Sequence, residues 1–370
     1  MYIIANEGML KMHVVVFGIF AVVLMLILLS SYRKYEYDKM AIIDRKLTCQ
    51  LKGMAIIFVV LAHMTLMYYL DLKTIGNFGA IGVDIFLILS GYGIYKSYTK
   101  KGICKQFVVK RLKTIYVPFI IVVLFEVLWR FYSENAHYSL YRLITFFTGF
   151  DAKRILDGTY WYISYIILWY LIFIIVYKFS KYKILNLILL FYFAYLFKVS
   201  KFIDPVKDLS WQYSIHFIAF PIGVLVASYE GKIIKLLANN VYKLVIAILV
   251  VGSISAHYVF SYNSDYYWLY NFNVAMFFIV TAIFLQSLGF MSKFLNFVGN
   301  ISYEIYLVEM QILIYINIPN LVGNKFLGNI IEILCCFAVG FILKWFIKAV
   351  QKIISKGLEI THNRFLPKSI

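Results

Sequence analysis

The chain has 370 residues, 63% of them hydrophobic and only 15% charged, with a mean hydropathy of +0.81. Soluble domains hold about 45–50% apolar and about 25% charged residues, so this little charge could not cover this much apolar surface in water, and the composition is that of a chain dissolved in lipid. The formal net charge of +18 does not point to nucleic acid, because Lys and Arg gather in the short segments between apolar runs, as cytoplasm-facing loops do.

A helix that crosses a bilayer needs about 20 mainly apolar residues. Runs at 13–32, 53–70, 79–98, 115–132, 160–178, 183–200, 211–229, 241–260, 267–290, 301–319 and 328–350 predict an all-α polytopic bundle of about eleven spans. The first run is too long for a signal peptide and lacks a small-residue cleavage site, so it reads as a helix. Charge then orients the bundle. Arg33, Lys34, Lys39, Arg45, Lys46 and Lys52 follow the first span; the next loop has only Asp71 and Lys73; Lys100, Lys101, Lys105, Lys110, Arg111 and Lys113 come next. Rich and poor loops keep alternating to the tail with Lys352, Lys356, Arg364 and Lys368. This puts the N-terminus outside and the C-terminus in the cytoplasm, in agreement with an odd helix number. The outer segment 133–159 holds an apolar, aromatic stretch from Tyr138 to Phe150, too short to span and expected to lie along the surface or re-enter.

The chemistry must come from ionisable groups at membrane depth, where each costs roughly 2.5–3.5 kcal/mol on insertion scales. His63 falls about ten residues into its span and Glu309 about eight into its own, both counted from the cytoplasmic end, so the two are expected at similar depth. If their helices touch, the carboxylate can orient the imidazole. Asp84 enters from the outer end and is expected higher. The ordinary alternative for each is a polar contact between helices, and for Glu126 and His216 an interhelical contact or cavity lining is the preferred reading. Lys52, Lys110, Arg111 and Lys113 gather at the cytoplasmic face, either as the topology signal alone or as a site for a phosphate-bearing donor. Cys49, Cys104, Cys335 and Cys336 form no CxxC or other metal-spaced pattern, and neither a metal site nor a disulfide framework is expected.

Five segments carry a resemblance. Lys52 and His63 are separated by ten residues in the run Leu51-Lys52-Gly53 to Ala62-His63. Gly82-Val83-Asp84-Ile85-Phe86 leads to Ser90-Gly91-Tyr92, and Lys110-Arg111-Leu112-Lys113 leads to Pro118. Thr159-Tyr160-Trp161-Tyr162-Ile163 and Gly299-Asn300-Ile301-Ser302-Tyr303-Glu304-Ile305-Tyr306-Leu307-Val308-Glu309 follow. In this order they resemble the acyltransferase 3 family of membrane-bound O-acyltransferases that acetylate surface sugars. Lys52 stands where that family has Arg, Thr114 where a second Arg is expected, and Glu309 where it usually has His. The resemblance runs from about 45 to 350, leaving 1–44 as an extra N-terminal helix with a cytoplasmic linker and 351–370 as a basic cytoplasmic tail, with no esterase-like domain expected after the last helix.

The resemblance implies an enzyme of the plasma membrane that moves acetyl from cytosolic acetyl-CoA to a hydroxyl of a capsular or exopolysaccharide, or of its lipid-linked precursor. It implies His63 as catalytic base, Glu309 or Asp84 as its orienting partner, and Lys52, Lys110, Arg111 and Lys113 as holders of the donor's phosphates. Tyr160, Trp161 and Ser90 are expected near the acceptor, although an aromatic belt explains Tyr160 and Trp161 as well. No metal and no nucleic acid is expected. Two other classes fit the size and helix number. A polysaccharide polymerase or flippase would be expected to carry a large Arg-rich outer loop, whereas 133–159 has only Arg142 and Arg154. A proton-coupled transporter would use His63 and Glu309 as a relay.

Overall fold

The computed structural model describes residues 41–66, 76–151, 156–199, 207–237, 248, 252 and 267–365. The expected spans 13–32 and, apart from residues 248 and 252, 241–260 lie outside them. Among the described residues all regular structure is helical. The helices are α1 (Arg45–Leu66), α2 (Phe78–Lys101), α3 (Lys105–Glu134), α4 (Leu140–Thr148), α5 (Trp161–Phe179), α6 (Lys183–Val199) and α7 (Lys207–Ile215). Then come α8 (Ala219–Ser228), α9 (Glu230–Leu237), α10 (Tyr267–Ser287), α11 (Lys293–Asn300), α12 (Ser302–Tyr315), α13 (Ile318–Val322) and α14 (Lys325–Phe365).

Seven described segments are long and apolar enough to cross a membrane: α1, α2, α3, α5, α10, α14 and the stretch Trp211–Ser228. Two expected spans are shorter than drawn. The 183–200 run gives the 17-residue α6, and 301–319 gives the 14-residue α12 followed by the short α13. Two are longer. The basic stretch before Pro118 is not a loop but the first turns of the 30-residue α3, and the expected tail from 351 continues α14 as helix through Phe365. Hydropathy measures the apolar middle of a helix, and backbone hydrogen bonding carries it on through charged turns. The 211–229 run breaks at His216–Ile218. Pro221 lacks an N–H and its ring crowds the carbonyl four residues earlier, so it fits the first turn of α8 but not the interior of one continuous helix. The Tyr138–Phe150 stretch forms α4, capped by the Ser139 hydroxyl accepting from Arg142 N and ended by Gly149 at φ 77°.

The chain divides into two compact units, Met1–Cys104 with Tyr165–Ser302, and Lys105–Ser164 with Tyr303–Ile370. In the first, glycines let helix backbones touch. A Cβ on Gly299 of α11 would lie 1.7 Å from the Cys49 carbonyl oxygen, and one on Gly53 of α1 would lie 2.2 Å from that of Leu295. Gly91 of α2 and Gly223 of α8 form a second such crossing, with virtual Cβ atoms 2.2 Å from Phe220 O and 2.1 Å from Ile88 O. With no hydrophobic force between helices in lipid, such close van der Waals contact is a main source of association. Around these crossings lies an aromatic core in which Trp169 stacks on Phe220 and Tyr165 on Tyr213. Glu230, at the start of α9, ties this unit together by accepting from Ile42 N at 2.9 Å, from the Tyr92 hydroxyl and from Lys96.

In the second unit α3, α12 and α14 pack with the turn that precedes α5. Tyr303 donates to the Ile115 carbonyl at 2.8 Å and Tyr306 to that of Thr159 at 2.5 Å. Gly340 of α14 faces Ile305 of α12, with a virtual Cβ 2.6 Å from that side chain.

Candidate active site

Lys52 and His63 are both half-buried on α1. Eleven residues of α-helix turn them to within about 20° of one another and set them about 16 Å apart along the axis. The ten-residue gap therefore places one cation and one imidazole on the same face, one at each end of a three-turn stretch. His63 lies further from the cytoplasmic start of its helix than the hydropathy run suggested, because α1 begins at Arg45 and not at 53.

The register between α1 and α2 corrects the expected height of Asp84. Gly79 faces Ala62, and Gly82 faces Ala55 and Val59. The helices are antiparallel, and small residues fix their register. Asp84 is thereby level with residues near Ala55, roughly 10 Å along the axis from His63 and towards Lys52, not beyond His63. Its carboxylate meets another imidazole: Asp84 Oδ1 lies 2.7 Å from Nδ1 of His216, and each side chain is 1% exposed. Asp84 is thus a partner of His216 at the break between α7 and α8, and its expected role as the group that orients His63 is not what this geometry provides. Oδ2 of Asp84 has no hydrogen-bond partner among the described residues. Removing one member of such a buried pair strands the other. His216→Ala is expected to lower stability by about 3–5 kcal/mol, and Asp84→Leu with His216→Leu to regain part of that loss, as read from thermal unfolding in detergent.

Ser90 is half-buried on α2 beside the Gly91 crossing. The other expected residues belong to the second unit. Lys110 and Lys113 are exposed on α3, and the Arg111 guanidinium lies over the Phe107 ring at 5.8 Å. Thr114, where a second Arg is expected, bonds back to the Lys110 carbonyl at 2.7 Å and adds no cation. Glu309 on α12 is fully buried at 0% exposure.

Tyr160 is buried, with its ring edge-on to Phe119 at 5.2 Å. It does not offer an open face for a sugar; of the aromatic pair, Trp161 is the half-buried one. The Tyr160 hydroxyl instead belongs to a polar network. It donates to Glu126 Oε2 at 3.1 Å and accepts from Gln311 Nε2 at 2.9 Å. Gln311 Nε2 also reaches Asp157 Oδ2 at 2.8 Å and Glu126 Oε2 at 3.2 Å. Arg130, one turn beyond Glu126, pairs with its Oε1 at 3.1 Å and donates to the Leu156 carbonyl. Asp157 Oδ1 accepts from both the Thr159 amide and hydroxyl. Glu126 is therefore an interhelical contact, as its position suggested. Asp157 and Gln311 were not anticipated. Gln311 carries no charge and leaves no mark on hydropathy, whereas Glu126 and Arg130 four residues apart were a visible helix-face pair.

Much of the five-segment pattern is thus structural. Gly82, Gly91 and Gly299 allow close crossings, and Tyr303 and Tyr306 anchor α12. A family model described as an acyltransferase domain matches residues 50–349. The chain belongs to the acyltransferase 3 family. It is therefore an acyltransferase, and with its long apolar helices a multi-pass membrane protein. No curated protein and no solved structure matches it. In this acyltransferase the matched region begins just before Lys52 and takes in every candidate site residue named above.

Proposed function

We propose that the protein is an O-acetyltransferase of the plasma membrane, which carries acetyl from cytosolic acetyl-CoA to a hydroxyl of a cell-surface polysaccharide or of its lipid-linked precursor. The observation that supports this most is His63 on the same α1 face as Lys52, within a family whose chemistry is acyl transfer. A hydroxyl is a poor nucleophile at neutral pH and needs a base as it attacks. In this reading His63 takes the hydroxyl proton, the oxygen forms its bond to the thioester carbonyl carbon, and the carbon–sulfur bond breaks. The thiolate leaves and regains a proton from the imidazolium. Lys52, about 16 Å along the same face, suits a phosphate of an extended donor better than the reacting carbonyl. The resemblance adds Lys110, Arg111 and Lys113 as donor-binding cations and Trp161 and Ser90 as acceptor-side residues.

The test is the O-acetyl content of the host's surface polysaccharide by proton NMR, in wild type and in a deletion of this gene. The expected result is loss of the acetyl signals with polymer of normal length. Unchanged acetylation with short or missing polymer would instead favour a polymerase or flippase.

A further inference from the structure

The first unit carries a cluster of hydrogen-bond donors at the end that the loop charges place in the cytoplasm. Lys183, at the start of α6, holds its Nζ 3.7 Å from the centre of the Tyr229 ring and donates to the Ser228 carbonyl at the end of α8. Lys232 of α9 brings a second ammonium to the same ring at 5.4 Å. Neither forms a salt bridge among the described residues. The carboxylate next in the chain, Glu230, already accepts from Ile42 N, the Tyr92 hydroxyl and Lys96.

Tyrosine hydroxyls add to the donors. Tyr95 and Tyr98 of α2 and Tyr177 of α5 pack ring against ring, with centroids 5.0, 5.8 and 6.0 Å apart. The Tyr95 hydroxyl is near enough to that of Tyr229 to interact with it electrostatically. The Tyr177 hydroxyl is buried with no hydrogen-bond partner among the described residues. Two ammonium groups that converge on one ring repel each other, and hydroxyls around them call for an acceptor. A phosphate meets both needs, because it is an anion with several acceptor oxygens.

The neighbouring surface indicates what carries that phosphate. Directly after Lys183, Ile184, Leu185 and Ile188 of α6 are 66%, 44% and 58% exposed, and Phe179 at the end of α5 is 80% exposed. On a helix in a bilayer such a face meets lipid tails. A lipid can set its head against the lysines and its chains along α6, whereas a soluble phosphate would leave that face unused. We infer that Lys183, Lys232 and Tyr229 hold the phosphate of an anionic lipid of the cytoplasmic leaflet, with its chains along α6. This goes beyond the acetyltransferase reading and does not rest on it.

The experiment is native mass spectrometry of the full-length protein in detergent, with phosphatidylglycerol and phosphatidylcholine of identical chains. The expected result is retention of one phosphatidylglycerol about tenfold more strongly than phosphatidylcholine, a difference that disappears in Lys183→Gln with Lys232→Gln. The control is Lys100→Gln with Lys101→Gln, which removes the same charge from the exposed end of α2 and is expected to leave the difference intact. Coenzyme A or inorganic phosphate in large excess is expected to leave the lipid bound. Displacement by either would assign the site to a soluble phosphate and overturn the inference. Equal retention of the two lipids, or equal loss in both double variants, would mean only the general attraction of basic loops and overturn it as well. Size-exclusion profiles check that the variants fold, and the lipid comparison and competition on wild type stand whatever they do.

Discussion

Replacing His63 by alanine is expected to reduce O-acetylation by about 10²–10⁴-fold, the usual worth of a positioned acid–base group. The protein should remain at wild-type level in the membrane, because His63 is half-buried and is not part of either glycine crossing. His63→Gln keeps polarity and size but cannot take a proton at neutral pH, so it should fail as completely. The measurement is polysaccharide O-acetyl content in the deletion strain complemented with each variant at matched protein level. Normal acetylation in His63→Ala would remove His63 from the chemistry. Lys52→Ala should behave differently if it meets the donor: the apparent KM for acetyl-CoA rises while the rate at saturating donor changes little, since a phosphate contact remote from the reacting carbonyl is made equally before and in the transition state.

A large effect on stability is expected at the crossing of α2 and α8 as well. Gly91→Ala puts a methyl 2.2 Å from a backbone oxygen, and Gly223→Ala does so at 2.1 Å. Neither oxygen is the free end of a flexible side chain, so the helices themselves must part. Each variant is expected to lose about 3 kcal/mol, the upper end of ordinary overpacking, seen as a lower thermal midpoint in detergent. The double variant should lose less than the sum, because the separation forced by one methyl makes room for the other. Gly93→Ala is the control on the same helix. Its Cβ meets nothing within 4 Å, and alanine favours the helix by about 1 kcal/mol, so it should be neutral or stabilising. Equal losses at Gly91 and Gly93 would mean that close approach is not what holds α2 to α8.

The sequence by itself determined the class of protein, most of the membrane-crossing helices and the family. Those properties are local. A run of apolar residues must be helical in lipid wherever it lies, and the spacing of Lys52 from His63 fixes their common helix face with no neighbour present. Boundaries were less legible, as α3 and α14 show, because a helix continues past the apolar residues that announce it. Partners were decided only by the tertiary structure. Asp84 lies 132 positions from His216 and Gln311 lies 185 from Glu126, and no local pattern relates such residues. What joins Asp84 to His216 is the register of α2 on α8, set where Gly91 and Gly223 let the backbones touch. The register of α1 on α2 moved Asp84 from the outer side of His63 to the side of Lys52, and the Glu126 network is assembled from a turn and two helices. A pairing in a helical bundle is a property of the crossing, and the crossing is formed by residues distant in the chain whose own chemistry gives no sign of what they bring together.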